Sequence, residues 1–149
     1  MENNWLYKGL EILSIEDLDP QAFGFIYIIK CDKNNKFYIG KKFLKHSKKV
    51  KLGKKAIAIQ KGLGRKKRSV RVTKESDWLS YWGSCVSLKE DITILGQENF
   101  SREILKITYN KKQLSYWEMY YQIKLDVLEV DNCYNDHIGY YYRKDLLLK

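Results

Sequence analysis

Gly24-Phe25-Ile26-Tyr27-Ile28-Ile29-Lys30 and Lys36-Phe37-Tyr38-Ile39-Gly40 are aromatic and β-branched runs, separated by the polar stretch Cys31-Asp32-Lys33-Asn34-Asn35. Such runs favour extended backbone, and an Asp/Asn-rich pentapeptide favours reversal, so this segment predicts a β-hairpin. Each strand carries one tyrosine, Tyr27 or Tyr38. Alternation puts Phe25, Tyr27 and Ile29 on one face; which face lines a cleft is open at this level. Hairpin tyrosines mostly serve cross-strand packing.

Working outward, residues 1–22 read as an N-terminal extension, with Trp5, Leu6, Tyr7, Leu10 and Ile12 able to pack and Ser14 placed to cap a helix. Residues 23–149 read as a single domain. Ser76 is expected to cap a short helix through Trp82, stopped by Gly83. Ser87 and Glu90 have capping-box spacing ahead of a second helix ending at Gly96. Asn99–Ile107 alternates as a third strand, and Lys111–Leu128 forms the longest helix. The expected fold is α+β, a small three-stranded antiparallel sheet flanked by helices.

The 149-residue chain carries 28 Lys and Arg against 18 Asp and Glu, a formal net charge of +10. Fifteen of the cations and none of the acids fall in residues 41–74, so the remainder holds 13 against 18. A mildly acidic domain thus carries one intensely basic insertion, the electrostatic footprint of a polyanion binder. Gly53, Gly62 and Gly64 break this segment. It is expected to be partly flexible, with a short helix or strand near Ala56–Ile59. No apolar run is long enough to span a membrane, and the first residues lack a signal-peptide pattern. Three scattered cysteines, Cys31, Cys85 and Cys133, form no C-x-x-C pair, which points to a reducing, cytoplasmic compartment without zinc or disulfides.

One helical residue breaks pattern. Leu114, Trp117, Tyr121, Leu125 and Leu128 form a single apolar stripe, and Glu118 falls inside it. A carboxylate on a packed face needs a cation or donors, since an unpaired buried charge is prohibitive. Taken alone, a Glu at the stripe's edge, its stem packed and its head in water or paired with lysine, is the simpler reading. A metal-binding or catalytic carboxylate is the other.

The ordered set changes that balance. Gly24-Phe25-Ile26-Tyr27, Tyr38-Ile39-Gly40, Tyr81-Trp82-Gly83-Ser84-Cys85, Gly96-Gln97-Glu98-Asn99-Phe100, Glu118 in Tyr116-Trp117-Glu118-Met119-Tyr120 and Asn135 in Cys133-Tyr134-Asn135 resemble the GIY-YIG nucleases over residues 23–137. Similar free-standing members are phage-encoded homing endonucleases. The resemblance implies a DNA endonuclease acting in a host cytoplasm, with a homodimer on DNA as one option and one Mg²⁺ or Mn²⁺ per active site held by Glu118. It implies Tyr27 as general base toward the attacking water, Tyr38 as its helper, and Asn135 as a further site residue, with Asn132 a weaker substitute.

Mg²⁺ accepts one or two carboxylates, with water and phosphate completing its octahedron, so a lone Glu suits it. Where the family usually carries a helical arginine and, four residues on, a histidine, this chain has Lys42 and His46. Lysine offers a point charge in place of a bidentate fork. Arg65, Arg68 and Arg71 could supply the guanidinium instead. Lys41, Arg65, Lys66, Lys67, Arg68 and Arg71 are the expected DNA contacts, which would position the protein without reading sequence. Little chain follows Asn135, so specificity is expected from the insertion, the extension, dimerisation or a partner. His137 reads as structural, and Tyr140-Tyr141-Tyr142-Arg143 as core plus surface. A structure-selective or nicking nuclease of recombination or repair, and an inactive nucleic-acid-binding scaffold, are the rival readings.

Overall fold

The computed structural model describes residues 3–62 and 64–147 as two compact units, Lys45–Ser76 and the remainder. The larger unit holds strands β1 (Trp5–Tyr7), β2 (Leu10–Ile12), β3 (Gly24–Cys31) and β4 (Phe37–Phe43). The smaller unit is β5 (Lys45–Lys51), α1 (Lys54–Ala58) and β6 (Ser69–Glu75). The larger unit resumes with α2 (Val86–Leu95), β7 (Phe100–Thr108), α3 (Lys111–Lys124), β8 (His137–Ile138), β9 (Tyr142–Arg143) and α4 (Lys144–Leu147).

The α+β class holds, but the sheet has five strands in the order β2-β1-β7-β3-β4, not three. It is mixed rather than antiparallel, because β1 runs parallel to β7. Residues 1–22 supply the two additional strands. Trp5 is fully buried, its ring lying edge-on to Phe25 at 5.0 Å and Tyr27 at 5.4 Å, and its indole N–H donates to the Trp78 carbonyl at 2.9 Å. That packing keeps two three-residue strands in place where propensity alone could not.

Register divides the core in two. Tyr27 pairs with Gly40, Ile29 with Tyr38 and Phe25 with Lys42, so these six share one face. On that face Phe25, Tyr27 and Ile29 pack with Trp5, Trp78, Leu88 and Phe100. The other face buries Ile26, Ile28 and Ile39 with Leu114, Val127 and Leu128. β4 is the sheet's edge strand, so one cleft can be reached from both faces around it.

Several local expectations shift. The segment after Ser76 forms only the 3-10 turn Trp78–Ser80 before Gly83, at φ +87, turns the chain. Cys85, not Ser87, occupies the N-cap of α2, which puts Ser87 inside the first turn. α3 stops at Lys124; Asp126, at φ +52, then turns the chain so that Val127 and Leu128 enter the core from outside the helix. The packed face of α3 therefore runs through Leu114, Glu118 and Gln122, leaving Leu125 exposed and Trp117 and Tyr121 partly buried. Tyr140, Tyr141 and Tyr142 are all exposed and contribute nothing to the core.

The basic segment is a regular antiparallel ribbon, Lys45 opposite Glu75 through Lys51 opposite Ser69. Its far end is tied by the Gln60 amide, which accepts from the Lys67 N–H at 2.7 Å and donates to the Lys67 carbonyl, while Lys66 Nζ donates to the Ala58 carbonyl at 3.1 Å. Lysine runs lack the alternation that announces a strand, so this order is invisible to pattern reading.

Candidate active site

The tyrosines come together because of a glycine. Gly40 lies opposite Tyr27, and a Cβ there would collide with the Tyr27 hydroxyl and stand 2.6 Å from its Cζ and 2.9 Å from Tyr38 Cε1. The two rings are 6.1 Å apart, and Tyr81 meets Tyr27 edge-on, also at 6.1 Å. Gly40→Ala is therefore expected to lower stability by about 1–3 kcal/mol, since the buried Tyr27 ring has nowhere to go. The denaturant midpoint of the variant against that of wild type checks this.

A cleft of about 750 Å³ opens beside these rings. Tyr27, Tyr38, Lys41, Glu118, Gln122, Asn135 and His137 line it. From the opposite face of the sheet, Lys41 Nζ reaches 3.9 Å from Glu118 Oε2 and donates to Ser115 Oγ at 3.4 Å. Glu118 is only 17 % exposed. Burial raises its carboxyl pKa above the ordinary value, with Lys41 and His137 opposing. Burial likewise pushes Tyr27 well up, helped by Tyr38, by Tyr81 through its charge and a side-chain hydrogen bond, and by Glu118. Tyr38 is pushed to about 12, chiefly by burial, with a Ser84 hydrogen bond working the other way. All three groups therefore hold their protons more tightly than usual, and all three would respond to positive charge entering the cleft.

Asn135 serves the backbone. Its Oδ1 accepts from the Ile39 N–H at 2.9 Å and its Nδ2 donates to the Ile39 carbonyl at 2.8 Å, pairing with the edge strand as another strand would. Cys133 Sγ donates to the same Oδ1 at 3.2 Å. Asn135 thus fixes the residue between Tyr38 and Gly40. Gln122 adds a weaker donor to the Ile39 carbonyl at 3.3 Å, and its buried Oε1 has no partner among the described residues. Asn132 lies apart from these, donating to the Asn35 carbonyl at 3.0 Å.

Lys42 is held away from the cleft, with Nζ 2.6 Å from Asp77 Oδ1 and 3.8 Å from the centre of the Tyr81 ring. His46 lies in the other unit, on β5 opposite Lys74. Both residues are on strands, so their spacing of four has no helix to act on, and Lys41 is the cation beside Glu118. Arg71 stands on β6 opposite Lys49, while Arg65, Lys66, Lys67 and Arg68 belong to the exposed connection before it.

The sequence points to Tyr81 only as part of the Tyr81–Cys85 motif, and it singles out neither Gln122 nor Arg102. Gln122 was findable four residues beyond Glu118 on the same helix face. Arg102 is nine-tenths buried between Trp5 and Trp82, and it donates to the Asn3, Leu79 and Tyr81 carbonyls, holding the Tyr81 loop against the sheet. Burial lowers its pKa to about 10.

The family model described as "Putative endonuclease segE, GIY-YIG domain" matches residues 5–146. The chain belongs to the GIY-YIG endonuclease family. No curated protein and no solved structure matches it. The GIY-YIG match includes the two N-terminal strands, in agreement with their place in the sheet. Among the described residues, no helix is long and apolar enough to cross a membrane. No group of three or more His, Cys, Asp or Glu is placed among them to hold a metal ion. Glu118 is the cleft carboxylate on the packed face of α3, and Glu90 and Asp136 also line the cleft.

Proposed function

We propose that the protein is a metal-dependent DNA endonuclease that hydrolyses phosphodiester bonds in the Tyr27–Tyr38–Glu118 cleft. The observation that supports this most is the convergence, in one cleft, of two tyrosines, a lysine and a buried carboxylate drawn from both faces of the sheet. Glu118 and the unpartnered Gln122 Oε1 are hard oxygen donors, suited to Mg²⁺ or Mn²⁺ when water and phosphate complete the shell. One such ion bound at Glu118 would supply Lewis-acid stabilisation of the phosphate charge. Tyr27, as its phenolate, accepts a proton from the attacking water, and Tyr38 orients that water. Lys41 neutralises charge beside Glu118. Asn135 acts as a positioning residue through Ile39.

Duplex DNA is the substrate that suits the basic ribbon, with Arg65, Lys66, Lys67 and Arg68 as phosphate contacts. One cleft cuts one strand per event, so a double-strand break requires two subunits on DNA or a second binding event. The homing-type role and the cytoplasmic setting belong to this same reading.

Incubation with linear duplex, nicked and branched DNA in Mg²⁺ and in EDTA tests the proposal. Metal-dependent cutting of plain duplex is expected. Cutting confined to branched DNA would favour the structure-selective reading, and binding with no cutting in Mg²⁺ or Mn²⁺ would favour the inactive scaffold.

A further inference from the structure

The ribbon of the smaller unit has two chemically different faces. Directly opposed residues share a face in an antiparallel pair, so Lys45/Glu75, Ser47/Thr73, Lys49/Arg71 and Lys51/Ser69 lie on one side. His46/Lys74, Lys48/Val72 and Val50/Val70 lie on the other. The first face carries only groups that donate or accept hydrogen bonds. The second carries all three valines, Val50, Val70 and Val72, each 40–50 % exposed. The unit as a whole holds thirteen Lys or Arg and a single acid, Glu75.

We infer that the Ser47–Thr73/Lys49–Arg71 face enters the major groove of duplex DNA and reads base edges, making the ribbon a specificity element and not only a phosphate anchor. The inference rests on DNA being the substrate. A two-stranded ribbon fits the B-form major groove, about 12 Å wide. Seven residues per strand extend roughly 23 Å, the run of about seven base pairs. Arg71 and Lys49, side by side at the centre, are the residue types that bond guanine O6 and N7, and Ser47 and Thr73 next to them accept or donate to either base of a pair. The basic connection at the ribbon's far end supplies phosphate contacts, which orient such an element without specifying sequence. A lone two-stranded ribbon is marginal in water, so a groove that buries its polar face also orders it. The deep, narrow major groove of duplex RNA would not admit it.

The test is selection from a randomised duplex DNA library by gel shift with the full chain at physiological salt, read by sequencing, with Arg71→Ala, Thr73→Ala and Val72→Thr run beside the wild type. Wild type is expected to enrich a motif containing guanine within about seven base pairs. Arg71→Ala should lose at least tenfold enrichment at one or two of those positions, and Thr73→Ala should relax a neighbouring one. Val72→Thr, on the opposite face, should keep the motif. The inference is overturned if wild type enriches no motif, if Arg71→Ala and Thr73→Ala keep it and weaken all sequences equally, or if duplex RNA competes as well as DNA. Cutting without a motif would sink this inference alone. A motif without cutting would sink the nuclease reading and leave this one standing. No DNA binding at all would sink both.

Discussion

Glu118→Gln is expected to reduce DNA cleavage on the order of 10³-fold while leaving DNA affinity within about twofold, as loss of a single charge-stabilising group in a preorganised site does. It should also make the protein more stable. Burial raises the Glu118 carboxyl above its ordinary value of 4.5 in the folded chain, against the pull of Lys41 and His137. A carboxyl held above its unfolded value contributes stability at low pH, and that contribution is lost as pH rises through the raised value. Glutamine has no such penalty at any pH. The melting temperature of Glu118→Gln should therefore exceed that of wild type by a few degrees at pH 7.5, with the gap closing toward pH 4. Melting curves at the two pH values, beside rates on one DNA substrate, check both halves. A variant that is inactive but less stable at pH 7.5 would point to a purely structural ion pair with Lys41.

Tyr27→Phe carries the second large effect. The ring remains in its aromatic nest against Trp5, Phe25 and Tyr81, so folding should change by no more than the net worth of one hydrogen bond, about 0.5–1.5 kcal/mol. The hydroxyl is what disappears, and with it the proton acceptor, whose loss is expected to lower the rate about 10²- to 10⁴-fold. Because burial first, and then Tyr38, Tyr81 and Glu118, hold the Tyr27 proton on, the active phenolate is a minor species at neutral pH. Its fraction grows about tenfold for each pH unit below the pKa. The wild-type rate should climb across pH 6–9 with a slope near one, and Tyr27→Phe should be flat over the same range. A variant with an unchanged rate and an unchanged slope would transfer the role to another group.

Much of this site was legible because its chemistry sits on strongly patterned elements. β3 and β4 are β-branched and aromatic on both faces, β7 alternates, and α3 is long enough for its period to stand out. The tyrosines and Glu118 could be placed on that frame, whereas Asn135, in a loop before β8, was reached only through the family resemblance. What the pattern could not give is non-local. β1 and β2 are three residues each and exist through pairing with one another, the pairing of β1 with β7 and the burial of Trp5. The inner face of α3 was misplaced because Val127 and Leu128 are buried by a turn at Asp126, which makes the apolar stripe look longer and rotated. Lys42 and His46 matched a helical spacing on a segment that is strand. The ribbon was hidden by its own charge, since cations on both faces erase the alternation by which a half-buried strand is recognised.

The cleft between Tyr27, Tyr38 and Glu118 is proposed as the place where DNA is cut. Conversion of supercoiled plasmid by wild type in Mg²⁺, by wild type in EDTA, and by Glu118→Gln in Mg²⁺, with binding of all three to the same plasmid verified, tests this most directly. Nicked or linear product from the first alone, with DNA bound in every case, is the predicted result. Equal cutting by Glu118→Gln and wild type would contradict it and move the chemistry to another part of the molecule.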